Sequence, residues 1–210
     1  RVSCLMQDNK KRWWMSAGVS ARGYPCIFDP LHRNFKKIPV DYPAKGLLYI
    51  QSIFQDSKGQ IWMVTGVDGL FVLDTFKNIF KKYTTVWPEF FSDVWNMHED
   101  KQTGRYWLET DKGIVLYDPK LKQYYHQKNN PEFLQCFMDT IFCTKAHSLY
   151  LDYNSVLWAT DRTKNGAHIS YRYDTKKNVL AQTNNHSGWI YRYFTDVSGI
   201  TWGYGNILGR

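Results

Sequence analysis

Three aspartates, Asp68, Asp111 and Asp161, are the first residues in this 210-residue sequence to which chemistry could be assigned. Converging carboxylates can act as general acid and base when their environments separate their proton affinities. The three stand six, four and three residues after tryptophans 62, 107 and 158, so they share no common register. The six histidines are scattered, and no serine or cysteine lies in a nucleophile motif. A second group suits binding better than catalysis. Arg162, Lys164 and His168 lie in one loop and Phe133 and Phe137 in another, with Trp87 and Trp189 in adjoining segments. Aromatic planes stack on the CH face of a sugar while polar side chains bond its hydroxyls, and basic residues add recognition of sulfate or carboxylate. Arg22 falls in a loop of the same kind, 16–23. The candidate ligand-binding residues are therefore Arg22, Asp68, Trp87, Asp111, Arg162, Lys164, His168 and Trp189. No catalytic residue, metal ligand or cofactor is assigned: Cys4, Cys26, Cys136 and Cys143 form neither a Cys-x-x-Cys pair nor a Cys/His cluster.

The elements that must position these residues are written as a repeat. A turn followed by a tryptophan strand occurs as QDNKKRWWMS, QDSKGQIWMVT, EDKQTGRYWLET, LDYNSVLWAT and TDVSGITWGY. The anchors Trp14, Trp62, Trp107, Trp158 and Trp202 follow one another at 48, 45, 51 and 44 residues. Asp8, Asp56, Asp152 and Asp196 precede their tryptophan by six residues; Asp100 precedes Trp107 by seven, because of an insertion near Gln102 and Thr103. Five copies in register define a repeat protein. An apolar strand precedes each turn. After the tryptophan strand comes a third strand ending at Asp29, Asp74, Asp118 or Asp174, where the carboxylate bonds the backbone ahead of it, and then a more polar fourth strand.

Four antiparallel strands in about 45 residues make the blade of a β-propeller. So small a meander cannot bury both faces alone, and neighbouring blades must stack, with the tryptophan filling the space between them. The fold expected is all-β, a propeller segment of about four and a half blades at 1–45, 46–88, 89–129, 130–185 and, in part, 186–210. The Asp-x-x-Gly turn suits a short hairpin; Lys11 and Ser155 replace the glycine in two copies, where looser turns are expected. The repeated turn residues are structural. Function belongs to the variable loops at the other end of the blades, of which 129–146 and 161–168 are the longest.

The pattern FQDSKGQIWMVTGVDGLFVLD, and almost as well MHEDKQTGRYWLETDKGIVLYDP, resembles the two-component regulator propeller repeat. The resemblance covers nearly the whole chain and is strongest over 49–125. Such repeats build the periplasmic sensing region of bacterial hybrid sensor histidine kinases, in propellers larger than four blades. The resemblance thus implies a fragment of an about seven-bladed propeller on the extracytoplasmic side of the inner membrane. It also implies a small polar ligand, such as an oligosaccharide, signalling to a kinase, and a homodimer of the parent receptor. Membrane attachment would lie in segments outside this chain. Two other classes stay open: a protein-interaction scaffold and a carbohydrate-active propeller enzyme.

Composition agrees with strands. Aromatic residues make up 17% of the chain, against seven alanines. The net charge is +8, with basic residues in scattered pairs such as Lys36-Lys37 and Lys81-Lys82. Lysines so placed protect sheet edges, and no nucleic-acid partner is expected. No apolar run reaches membrane-span length, and the first residue is not an initiator methionine, which points to excision from a longer protein.

Overall fold

A computed structural model of the chain describes residues 2–19, 22–41, 48–66, 68–83, 93–145, 147–162, 168–183 and 190–205. They fold into sheets taken in chain order, antiparallel except where the two-residue β5 joins the second sheet. The first comprises β1 (Val2–Gln7), β2 (Trp13–Val19), β3 (Arg22–Asp29) and β4 (Asn34–Lys37). The second comprises β5 (Val40–Asp41), β6 (Ile50–Gln55), β7 (Ile61–Thr65), β8 (Gly69–Asp74) and β9 (Ile79–Lys82). The third is β10 (Val94–Asp100), β11 (Arg105–Thr110), β12 (Gly113–Asp118) and β13 (Gln123–Tyr125). A 3-10 turn at Gln135–Phe137 and helix α1 (Thr140–Lys145) precede the fourth sheet. That sheet is β14 (His147–Leu151), β15 (Val156–Arg162), β16 (His168–Asp174) and β17 (Val179–Gln182), and β18 (Ile190–Thr195) and β19 (Thr201–Gly205) form a two-stranded sheet. These four-stranded meanders are propeller blades. The chain divides into two compact units, Arg1–Asn96 and Met97–Arg210.

The repeat spacing has a physical cause. In four copies the aspartate accepts the indole N–H of the tryptophan six residues on: Asp8–Trp14 at 2.9 Å, Asp56–Trp62 at 2.8 Å, Asp152–Trp158 at 3.0 Å and Asp196–Trp202 at 2.7 Å. The other carboxylate oxygen accepts two backbone N–H groups of the turn, as Asp56 does from Lys58 at 3.0 Å and Gln60 at 2.8 Å. One buried carboxylate thus closes the turn and fixes the indole that fills the blade, leaving few buried polar groups unmet. Lys11 and Ser155 do not loosen their turns. They adopt φ of 64° and 63°, and their N–H groups reach the carbonyls of Asp8 and Asp152 at 2.9 and 3.1 Å. Gly59, at φ 81°, makes the same bond at 3.0 Å. The carboxylate cage holds the left-handed conformation even where a side chain makes it unfavourable.

The turns after the third strands repeat as closely. The carboxylates of Asp29, Asp74, Asp118 and Asp174 each accept the N–H groups two and three residues ahead, at 2.9–3.2 Å. The chain then passes through positive φ at Arg33, Asn78, Lys122 and Asn178.

Within the first unit, Trp14, Ile38, Ile50, Met63, Phe71 and Phe80 share one core. Val40 and Asp41 form a strand parallel to β9, and the Phe80 N–H bonds the Pro39 carbonyl at 2.9 Å. Burial of Ile38 and Phe80 draws this segment in. In the second unit, segment 129–146 departs further from expectation. It folds onto the third and fourth sheets, burying Cys136, Phe137, Phe142 and Cys143 with Trp107, Tyr171 and Tyr173. All four cysteines are free thiols, and burial pushes that of Cys143 up to about 11.

Candidate functional site

The variable end of the blades, where the second strand turns into the third, is narrower than the sequence suggests. Thr65 donates its hydroxyl to the Gly69 carbonyl at 2.7 Å, and Thr110 donates to that of Gly113 at 2.7 Å. Asp68 and Asp111 therefore stand in tight turns held by a Thr–Gly bond rather than in open loops. Gly113, at φ 105°, is required twice over, since a Cβ there would overlap the Cys143 carbonyl of α1. Asp111 is partly buried and its carboxylate lies 3.1 Å from the Lys112 ammonium. Asp68 is half-buried, in the other unit.

The remaining candidates are placed only in part. Arg22 begins β3, Arg162 ends β15 and His168 begins β16, opposite Arg162 in register; their side chains lie outside the described residues. Trp87, Lys164 and Trp189 lie wholly outside them. The two phenylalanines offered to a ligand by loop 129–146 separate: Phe137 is core, while Phe133 is exposed. Among the described residues no group of three His, Cys, Asp or Glu side chains is placed to hold a metal ion.

A polar cluster at the junction of the third and fourth sheets was missed. Glu109 is buried in β11, and one carboxylate oxygen accepts the Leu149 N–H at 3.1 Å. The other lies 3.5 Å from Nδ1 of the half-exposed His147. His98 Nε2 lies 2.8 Å from the Leu149 carbonyl, to which it donates. Burial pushes the His98 imidazole below its ordinary value, against the Leu149 bond and the Glu109 charge. The cause is local. β14 bulges between His147 and Tyr150, with Ser148 at φ 57°, and the bulge frees the Leu149 amide for the neighbouring blade. The legible signal was an acidic residue two positions after Trp107, where other copies have Ser16, Val64, Thr160 and Tyr204. Glu109 and His147 form a carboxylate–imidazole pair able to hold or pass a proton, yet half of the carboxylate is committed to the backbone.

At the opposite end of the fourth sheet, beside the aspartate turns, lies a cleft of about 410 Å³. Its walls include Trp158, Arg172, Lys176, Lys177 and Thr201.

No protein-family model matches the chain, and no curated protein matches it. Solved structures do resemble it. The extracellular domain of a protein of B. thetaiotaomicron classed as a one component system gives a TM-score of 0.62 at 15% identity, covering 98% of this chain and 32% of that one. PorZ, a surface component of the type-IX secretion system of Porphyromonas gingivalis, gives 0.61 at 11% identity, over 98% and 31%. The Dos1 propeller gives 0.59 at 13% identity, over 96% and 52%. The chain spans about one third of the length of the first two. These likenesses establish the fold: a β-propeller whose blades match those of larger propeller proteins.

Proposed function

We propose that this chain is part of the extracytoplasmic sensor propeller of a two-component signalling receptor, and that it binds a carbohydrate-derived or other small polar ligand without transforming it. The observation that carries the reading is the match of 98% of the chain to an extracellular domain of a signalling protein. The two-component propeller repeat written over 49–125 agrees with it. On this reading residues 1–210 form one propeller segment, and the kinase and the membrane anchor belong to other parts of the receptor. Signalling requires a ligand that favours one arrangement of the receptor over another, and a homodimer of the parent would supply two such arrangements. Arg22, Asp68, Trp87, Asp111, Arg162, Lys164, His168 and Trp189 remain the proposed contacts.

Calorimetry of the sensor region against neutral and sulfated oligosaccharides tests this. Saturable binding weakened by Asp111→Ala or Arg162→Ala is expected. Binding unaffected by both substitutions would remove the site, and conversion of an oligosaccharide abolished by Asp111→Asn would make the protein an enzyme. A scaffold reading draws on the similar match to the secretion-system component PorZ, and a stable protein partner retained by the blade loops would favour it.

A further inference from the structure

The turns that join third to fourth strands carry side chains that the blades do not use. In the first unit the Asp29 carboxylate accepts the Leu31 and His32 amides, and Asp74 accepts those of Phe76 and Lys77. Each tip thus satisfies its own backbone inward and turns its side chains out. Leu31 is 88% exposed and Phe76 wholly so, the two most exposed large apolar side chains among the described residues of this unit. Stacking of further sheets would not hide them, because blades cover one another's faces and not the tips of turns.

Cations surround both tips. Arg33 stands two residues after Leu31 and Lys77 one after Phe76, both exposed. In an antiparallel meander the turn between the first and second strands lies at the same end, which adds the exposed Lys10, Lys11 and Lys58. The two sheets tie these ends together. The Asn9 N–H donates to Gln55 Oε1 at 2.7 Å, and Gln55 Nε2 donates to Asn9 Oδ1 at 3.2 Å. The carboxylates of the same turns are already committed. Asp8 and Asp56 are buried against their indoles, Asp29 lies 2.7 Å from the His32 imidazole and Asp74 lies 2.8 Å from the Lys81 ammonium. The second unit repeats the device by itself: its β12–β13 turn reads Lys120-Leu121-Lys122, all exposed, with Asp118 accepting the Lys120 and Leu121 amides.

Apolar points ringed by cations match a surface that is anionic outside and apolar just beneath. A soluble anion would use the cations and leave Leu31 and Phe76 in water, whereas an anionic bilayer meets both, with phosphates at the level of the ammonium groups and acyl chains below them. Tips whose amides are already bonded inward approach that boundary at little cost. We propose that this turn face of the first unit lies on a bilayer of anionic phospholipid, with Leu31 and Phe76 entering the headgroup–acyl boundary and Lys10, Arg33, Lys58 and Lys77 meeting the phosphates. The contact is peripheral. It is independent of the ligand reading, since it concerns the end of the blades opposite to the turn that carries Asp68.

The test is sedimentation of the chain with vesicles of phosphatidylglycerol and phosphatidylethanolamine in equal parts, and with vesicles of phosphatidylcholine alone. Binding at least ~tenfold stronger to the anionic vesicles is expected, weakening as salt screens the cations. Leu31→Ser with Phe76→Ser should reduce it ~tenfold or more, and Lys58→Glu with Lys77→Glu by a similar factor. Neither pair should move the urea midpoint, because all four side chains are exposed. Phe76→Trp should add an emission that brominated acyl chains quench. Failure to bind the anionic vesicles overturns the proposal, and so does binding that Leu31→Ser with Phe76→Ser leaves unchanged. Displacement by inorganic phosphate or a soluble sulfated polysaccharide, with the added emission of Phe76→Trp unquenched, would also overturn it, since the face would then hold a soluble anion.

Discussion

The turn joining β6 to β7 and the turn joining β10 to β11 look interchangeable in outline, and their difference shows what the repeat is made of. In the first, Asp56 stands six residues before Trp62 and accepts its indole N–H. In the second, one extra residue moves Asp100 out of reach. Its carboxylate accepts the Thr103 hydroxyl at 2.9 Å and the Ser155 hydroxyl of the fourth sheet at 3.1 Å. The Trp107 indole N–H is left buried without a partner among the described residues. Both tryptophans are buried to the same degree, 4% and 2% exposed. Burial therefore does not depend on the bond; the bond fixes the turn to the indole.

The largest effect should come from the indoles themselves. Trp62→Ala is expected to cost about 3–5 kcal/mol, the range for a large core side chain. Trp202→Ala, at a site half exposed, should cost far less, although Trp202 makes the same hydrogen bond. Urea unfolding of both variants checks this. Equal losses would mean that the bond rather than the packing dominates.

Next in size is the carboxylate. Asp56→Ala strands the buried Trp62 N–H and two turn amides, and should cost about 2–3 kcal/mol. Asp100→Ala strands no indole and should cost about 1 kcal/mol less, since the loss is confined to two hydroxyls and the Gln102 amide. A double-mutant cycle of Asp56 with Trp62 is expected to show coupling, and one of Asp100 with Trp107 to show none.

How much of this could be read from the sequence follows from the same contrast. The periodic spacing of Trp14, Trp62, Trp158 and Trp202 after their aspartates sufficed for the blade, because one bond with fixed reach imposes it. The reason for the spacing was not legible, since a one-dimensional count does not reveal which donor meets which acceptor. Segment 129–146 was misread because nothing in it repeats; Phe137 and Phe142 are drawn inward by Trp107 and Tyr171, distant partners that no local pattern announces. Glu109 was overlooked for a related reason: its partner amide is freed only by the bulge at Ser148. The candidate site was the least legible part, because loop residues carry function without periodicity. The structure describes the side chains of two of its eight residues, Asp68 and Asp111.

A smaller effect tests the insertion directly. Trp107→Phe should be within about 1 kcal/mol of the parent, because removing an unmatched buried N–H offsets the lost volume, whereas Trp62→Phe should cost about 1–2 kcal/mol more than that. Deleting Gln102 restores the six-residue spacing, with Gly104, already at φ 72°, in the glycine position. That deletion is expected to raise the unfolding midpoint and to bring the Trp107 indole proton downfield, as for a hydrogen-bonded indole. A lower midpoint with the proton unmoved would show that Thr103 and Ser155 have made the altered turn the better solution for Asp100.

The smallest effect concerns protons. The Ser198 hydroxyl, then the Trp202 indole, hold the Asp196 carboxyl down at about 2, below its ordinary 3.8. Burial alone would raise the Asp8 carboxyl, but the Trp14 indole and the Arg12 amide and guanidinium outweigh it, and that group too is lowered. A carboxyl depressed on folding contributes stability that is fully present above its unfolded value and is lost as pH falls through its folded value. The turn of β18 and β19 should therefore be intact at pH 5 and weaken progressively between about pH 4 and about pH 2. In a carboxyl-carbon titration Asp196 should move with a midpoint near 2, and the Trp202 indole proton should shift in the same window. Asp196→Asn should abolish that indole transition and leave the one at Trp14 in place. A midpoint at or above 3.8 would mean that the exposed turn lacks the bonds its three buried counterparts share, and the equivalence of the four bonded copies would fail at Asp196.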